Sequence, residues 1–268
     1  MSAVEPADEG NTFRSVHHPS PIATMYQEHE SMLLEDGRTF SYAIYGSPMP
    51  RQTIVYLHGF PSSRFEGKLW HSSCATRNVR LIAPDRPGHG ISSFQVKRRI
   101  LDFPSDVLAL TEHLKIHQFY ILGLSGGAPY VLACVKKIAK DRLLGATVKA
   151  IKGPQNWPIF VAMTRESFQQ GSEGASWEAK LNGSDWGFSL AQLSVGDNGV
   201  PLTLWHGLDD RNCPATMAQQ AKDFMPGSVL RLKEGEGHVS FIFRDAHDIL
   251  DDLLGQAESE EYIIPAIL

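Results

Sequence analysis

A hydroxyl, a carboxylate and an imidazole follow one another along this chain in three glycine-flanked settings. The first is Gly123-Leu124-Ser125-Gly126-Gly127, preceded by the apolar run Tyr120-Ile121-Leu122 and followed by Tyr130-Val131-Leu132-Ala133. The second is Leu208-Asp209-Asp210-Arg211-Asn212-Cys213-Pro214, and the third Glu234-Gly235-Glu236-Gly237-His238. A serine hydroxyl becomes a useful nucleophile only with a base to take its proton, an acid to orient that base, and N–H donors for the oxyanion that forms. Gly-x-Ser-x-Gly between a strand and a helix sets the serine on a sharp, strained turn. Side chains two residues to either side would collide there, and Gly123 and Gly127 carry none. The helix starting near Gly126 turns its free N–H groups and positive end toward Ser125.

The roles follow from chain order. In an α/β chain of this kind the nucleophile comes first, then the acid, then the base. Ser125 is the expected nucleophile and His238 the expected base. For the acid, Asp209 and Asp210 compete; the spacing from Gly207 and the proline four residues on favour Asp210. The loop Gly153-Pro154-Gln155-Asn156-Trp157 carries no carboxylate, so the other usual place for an acid is empty. The expected oxyanion donors are the backbone N–H of Gly126 and that of Phe60, in His58-Gly59-Phe60-Pro61. His58 and His206 each precede a glycine at a strand end, where hydrogen bonding to loop backbone is the expected role. His113 and His117 have the spacing of a metal pair but no third ligand in reach, so no metal is expected.

These groups need a scaffold. Glu30–Glu35 and Thr39–Tyr45 flank Asp36-Gly37, the signal of a two-strand hairpin. Thr53–Leu57, Val79–Pro84, Phe119–Leu122, Ala146–Ile151, Leu202–His206 and Val229–Leu232 read as further strands. Helices are predicted around Arg64–Thr76, over Phe103–Leu114, from the serine turn to about Ala139, over Pro214–Phe224 and over Phe241–Leu254. A hairpin followed by β-α repeats predicts a mostly parallel eight-stranded sheet with helices on both faces. Residues 1–24 read as an irregular tail and 25–268 as one domain. Within it, 153–200 breaks the rhythm and offers one helix, Pro158–Gln170. That insertion is expected to sit above the serine as a lid; the plainer alternative is a long surface loop.

Composition narrows the partners. The 268 residues carry 25 Lys and Arg against 30 Asp and Glu, a formal net charge of −5, with no basic block for a nucleic acid. Cys74, Cys134 and Cys213 show neither disulfide nor metal spacing and read as reduced packing groups. No apolar run reaches the ~18 residues of a membrane span. A cytoplasmic protein acting on a small molecule is the expectation; oligomeric state is not readable.

Taken together, the stretches His58–Ser63, Asp85-Arg86-Pro87-Gly88-His89-Gly90, Gly123–Gly127, His206-Gly207 with Asp210, and Gly237-His238 resemble the α/β-hydrolase fold family. The likeness is to its esterase, lactonase and proline-iminopeptidase-like branch, and it covers about residues 30–255. It implies a cofactor-free hydrolase with Ser125, Asp210 and His238 as its triad, acting on a carboxylic ester or lactone through an acyl-enzyme. A serine at 125 is unlike the aspartate of epoxide hydrolases and haloalkane dehalogenases. Relatives with these motifs carry a larger helical cap between the sixth and seventh strands, so 153–200 is a reduced cap. Other readings on the same fold are a slow-turnover ligand-binding protein, a cofactor-free perhydrolase, and an aminopeptidase. The last would need cap carboxylates for the substrate ammonium, for which Glu166, Glu173, Glu178 and Asp185 are available.

Overall fold

Strands that are apolar at every position need cover on both faces, and the central strands of this chain are of that kind. The computed structural model describes residues 27–149, 157–238 and 244–255; the tail expected at 1–24 lies outside the described residues. Eight strands, β1 (Gln27–Leu33), β2 (Thr39–Gly46), β3 (Gln52–Leu57), β4 (Val79–Pro84), β5 (Phe119–Leu124), β6 (Leu143–Lys149), β7 (Leu202–Gly207) and β8 (Val229–Lys233), form one sheet in the order β1-β2-β4-β3-β5-β6-β7-β8. β1 and β2 make the predicted hairpin, and β2 also runs antiparallel to β4; every other pairing is parallel. Gly37 turns the hairpin at φ +82°, a conformation that suits glycine.

Alternation along the central strands builds two cores. Val55 and Leu57 of β3, with Phe119 and Ile121 of β5, face α2 (Phe103–His113) and α3 (Ala128–Lys137). Ile54, Tyr56, Leu122 and Leu124 face the other way, onto Trp70, Cys74 of α1 (His71–Thr76), and α7 (Ala246–Leu253). On α7, Ile249, Leu250 and Leu253 recur at helical spacing and all are buried. Each such side chain taken out of water contributes about 1.5–3 kcal/mol before chain entropy is counted.

The helix predicted over Pro214–Phe224 is α6 (Ala215–Phe224), and two other helical predictions change in detail. Arg64–Thr76 is not one α-helix but a 3₁₀ segment, Arg64–Trp70, followed by α1. Gly67 lets this segment lie close on the sheet, since a Cβ there would stand 2.8 Å from Ala83 Cβ and 2.9 Å from the Tyr45 ring. Of the helix predicted over Phe241–Leu254, residues 241–243 lie outside the described residues, and α7 covers Ala246–Leu253.

Between β6 and β7 the chain forms two helices rather than one, α4 (Trp157–Ser167) and α5 (Glu173–Asn182). Both are fastened by polar contacts to the loop after β4 and the 3₁₀ segment before α1. Arg64 Nη1 bridges Asp85 Oδ2 and Glu166 Oε1 of α4, each at 2.6 Å. His89 Nδ1 lies 2.9 Å from Ser167 Oγ, and Gln170 Nε2 donates to the carbonyls of Gly90 and Ser92. The backbones nearly touch where α5 begins: a Cβ on Gly174 would stand 2.1 Å from the Gly88 oxygen.

Candidate active site

β5 ends at Leu124, and Ser125 takes φ +45°, the left-handed region that L side chains rarely adopt. Ser125–Gly127 form one 3₁₀ turn that leads directly into α3, with Pro129 in its first turn and Lys136 and Lys137 at its far end. The glycines are there because the neighbours are close. A Cβ on Gly123 would meet Val131 Cγ2 at 2.3 Å, and one on Gly127 would meet the Leu57 oxygen at 2.3 Å. Gly127 therefore makes room for the end of β3 rather than for the residue two before Ser125.

Asp210 and His238 come from the loops after β7 and β8. Asp210 Oδ1 accepts the backbone N–H groups of Asn212 and Cys213 at 2.9 and 2.8 Å. Its other oxygen, Oδ2, is then directed at His238 Nδ1, 2.5 Å away. His238 Nε2 stands 3.2 Å from Ser125 Oγ. The carboxylate at Nδ1 holds the proton on that nitrogen and leaves Nε2 as acceptor for the serine hydroxyl. Asp209 is exposed and its backbone N–H goes to the Glu236 oxygen, so of the two competing carboxylates only Asp210 joins the serine and the histidine.

Phe60 and Gly126 also converge. A Cβ on Gly126 would lie 3.3 Å from Phe60 N and 2.7 Å from Phe60 Cβ, and the Phe60–Pro61 bond is cis. His58 is fully buried and makes the loop contacts expected of it. Its Nδ1 is 2.8 Å from the Gly59 oxygen and its Nε2 accepts the Arg86 N–H at 3.3 Å. Burial, with Arg86 beside it, pushes its imidazole well below the ordinary value. His206 Nε2 donates to the Cys213 oxygen at 2.7 Å and lies 3.3 Å from Asp210 Oδ2, so it stiffens the loop that carries the acid. Among the described residues no group of three or more His, Cys, Asp or Glu side chains could hold a metal ion, and no helix is long and apolar enough to cross a membrane.

A cavity of about 410 Å³ opens over Ser125 and His238. Its walls are largely apolar, with Leu132, Val148, Leu204, Met217 and Met225 from the sheet and its helices and Trp186 from the insertion. Lys149, at the end of β6, also borders it; burial pushes its ammonium well below the ordinary value, and Asp245 acts in the opposite direction. Asn182 and Leu190 join Trp186 along the rim, so the insertion contributes to the cavity.

Sequence reasoning missed the second layer of polar groups. Glu66 Oε2 accepts the Gly59 N–H at 2.5 Å and the Tyr56 hydroxyl at 3.1 Å, and burial pushes its carboxyl up to about 7. Arg86 donates to the carbonyls of His58 and Gly59 at 2.5 and 2.9 Å. Glu178 of α5 stands between Arg86, at 2.8 Å, and Arg98, at 2.5 Å. Of the four acidic residues noted in the insertion, Glu166 and Glu178 are engaged by arginines, while Glu173 and Asp185 are exposed. None of the four lines the cavity.

Comparison with known proteins bears on the fold. The family model described as "alpha/beta hydrolase fold" matches residues 52–162. A 94-residue stretch is 27% identical to the uncharacterized hydrolase YcgS of Bacillus subtilis, spanning 35% of this chain and 32% of that protein. A non-heme haloperoxidase of Rhodococcus erythropolis is 25% identical over 274 residues, covering 84% of this chain and 97% of that one. Among solved structures, an esterase from Exiguobacterium antarcticum superposes with a TM-score of 0.69 at 17% identity, over 85% of this chain and 98% of the esterase.

Proposed function

This chain is an α/β-hydrolase-fold protein, and from that premise we propose that it is a serine hydrolase that cleaves a neutral, largely apolar carboxylic ester or lactone through an acyl-enzyme on Ser125. The observation that carries the reading is the continuous relay from Ser125 Oγ through His238 to Asp210, at 3.2 and 2.5 Å, beneath an apolar cavity. His238 Nε2 takes the serine proton as Oγ attacks the carbonyl carbon. The carbonyl oxygen becomes an oxyanion held by the N–H groups of Phe60 and Gly126. His238 then passes its proton to the departing alkoxide, and the acyl-enzyme forms. Water, deprotonated by the same nitrogen, releases the acid and restores the serine. Asp210 keeps the imidazole in the tautomer this requires and stabilises the imidazolium.

The cavity wall favours this substrate class over an aminoacyl one. A substrate ammonium needs a carboxylate in the pocket, and Glu166 and Glu178 are already bound to buried arginines. The segment 153–200 acts in this reading as a reduced cap whose Trp186 and Leu190 close one side of the pocket. The test uses p-nitrophenyl butyrate and alanine p-nitroanilide side by side. Hydrolysis of the ester, with little on the anilide, is expected, and Ser125→Ala or His238→Ala lowers kcat by about 10⁴- to 10⁶-fold. Ester turnover that survives both substitutions would sink the reading.

The haloperoxidase relative, matched over most of its length, favours one second reading on the same residues: perhydrolysis, in which hydrogen peroxide replaces water on the acyl-enzyme. Peroxide-dependent halogenation in acetate buffer, abolished by Ser125→Ala, distinguishes it from hydrolysis alone.

A further inference from the structure

Resting on the oxyanion role proposed for Phe60, we infer that Arg86 is a positioning residue that aims the Phe60 N–H at the reacting oxygen, and that Glu178 of the insertion holds Arg86 in place for this purpose. The argument begins with one peptide plane. The only cis bond among the described residues is Phe60–Pro61, so the Gly59–Phe60 peptide is trans. In a planar trans peptide the carbonyl and the following N–H point in opposite directions. Whatever fixes the Gly59 carbonyl therefore fixes the Phe60 N–H.

Two donors fix that carbonyl, Arg86 Nη2 at 2.9 Å and His58 Nδ1 at 2.8 Å. Arg86 Nη1 takes the preceding carbonyl, that of His58, at 2.5 Å. On the other side of the glycine, Glu66 holds the Gly59 N–H. The peptide cannot rotate without breaking these bonds among buried groups, where each is worth more than at the surface. A cationic donor on the carbonyl also withdraws charge from the amide and strengthens the N–H as a donor toward an anion.

Arg86 is itself fully buried, and its Nε lies 2.8 Å from Glu178 Oε1, an ion pair whose N–H is off the line of a hydrogen bond. Its guanidinium also stacks 4.9 Å from the centre of the Tyr130 ring on α3. Glu178 Oε2 binds Arg98 and the Tyr130 hydroxyl at 2.5 and 2.8 Å. The chain of contacts thus runs from helix α5 through Glu178 and Arg86 to the carbonyl behind the oxyanion donor. A geometry in which the guanidinium forks between two carbonyls and a carboxylate suits arginine; a lysine ammonium is a point charge and reaches fewer of them.

Arg98 supplies the control, because it shares Glu178 with Arg86 but touches neither His58 nor Gly59. The experiment compares the full-length parent with Arg86→Met, Arg86→Lys, Arg98→Met and Ser125→Ala. It measures kcat and KM on p-nitrophenyl butyrate and inhibition by n-butylboronic acid, after thermal melts identify the folded variants. The boronic acid accepts the Ser125 oxygen at boron while the hydroxyl proton passes to His238, which leaves a negatively charged tetrahedral boronate with an oxygen in the oxyanion position. Arg86→Met is expected to lower kcat about 10- to 100-fold with KM within about twofold, short of the ~10²–10³ that loss of a whole donor costs. Boronate inhibition should weaken by the same factor. Arg98→Met keeps kcat and boronate inhibition within about threefold of the parent, although it opens the same buried cluster. Arg86→Lys keeps a cation beside Glu178, and provides the readout if the methionine variant does not fold; it is expected to fall between parent and Arg86→Met. Equal losses in Arg86→Met and Arg98→Met, or an Arg86→Lys as active and as tightly inhibited as the parent, overturn the inference and leave the hydrolase reading standing. A parent whose ester turnover survives Ser125→Ala overturns the hydrolase reading and this inference with it.

Discussion

The two sides of the Ser125 cavity are held together by different physics. The side built from β7 and the helix that follows it is apolar, with Leu204, Met217 and Met225, and α7 on the far face of the sheet docks through Ile249, Leu250 and Leu253. The insertion side is fastened by buried charge: Arg64 with Asp85 and Glu166, and Arg86 and Arg98 with Glu178. Apolar burial is nondirectional and tolerates small shifts. Buried ion pairs are directional and intolerant of the loss of one partner, while contributing little net stability over a well-packed apolar substitute. The insertion is thus anchored by directional contacts, and one of them, Glu178 with Arg86, adjoins the His58 and Gly59 carbonyls.

The difference can be broken from either side. The largest effect is expected for Glu178→Ala, which strands two buried arginines and should cost about 3–5 kcal/mol in denaturant unfolding. Leu250→Ala, on the apolar side, should cost about 2–4 kcal/mol and leave kcat unchanged, since only a cavity is made. If Leu250→Ala lowered kcat as far as Arg86→Met, the two sides would not differ in the way argued.

Acid sharpens the contrast next. Burial alone would raise the Glu178 carboxyl, but Arg86 and Arg98 hold it down at about 2 from an ordinary 4.5. Between those values the unfolded chain binds the proton and the folded one does not, so stability from Glu178 is complete above pH 4.5 and is lost as pH falls through about 2. Thermal melts from pH 5 down to pH 2.5 should therefore fall more steeply for the parent than for Glu178→Gln; parallel curves would contradict the pairing. The smallest effect belongs to the exposed Glu112, 3.9 Å from the half-buried Arg142. Glu112→Gln should change stability by no more than about 0.5 kcal/mol, less still in high salt.

How much of this the sequence discloses depends on distance along the chain. The hairpin at Asp36-Gly37 and the apolar runs of β3 and β5 are local signals, and each appears where it was read. Ser125, Asp210 and His238 lie 85 and 28 residues apart, yet each stands in a short glycine-marked turn after a strand, and the fold brings the three strand ends together. The sequence pattern predicts no helix over α5: Glu173-Gly-Ala-Ser-Trp-Glu-Ala-Lys-Leu-Asn has few apolar positions, and on its inner face Glu178 is buried beside Gly174 and Ala175. Its partner Arg98 is 80 residues away. No local pattern announces that a carboxylate will be buried between distant arginines. The close approach at Gly67 answers to Tyr45 and Ala83, which are likewise remote.

The central claim is that Ser125 is an activated nucleophile, and covalent labelling tests it most directly. Purified protein is treated with a fluorescent fluorophosphonate, and the adduct is located by peptide mass spectrometry beside Ser125→Ala and His238→Ala. The account predicts one adduct per chain, on Ser125, with Ser125→Ala and His238→Ala both unlabelled. A folded parent that takes no label, or takes it at another serine, would contradict it.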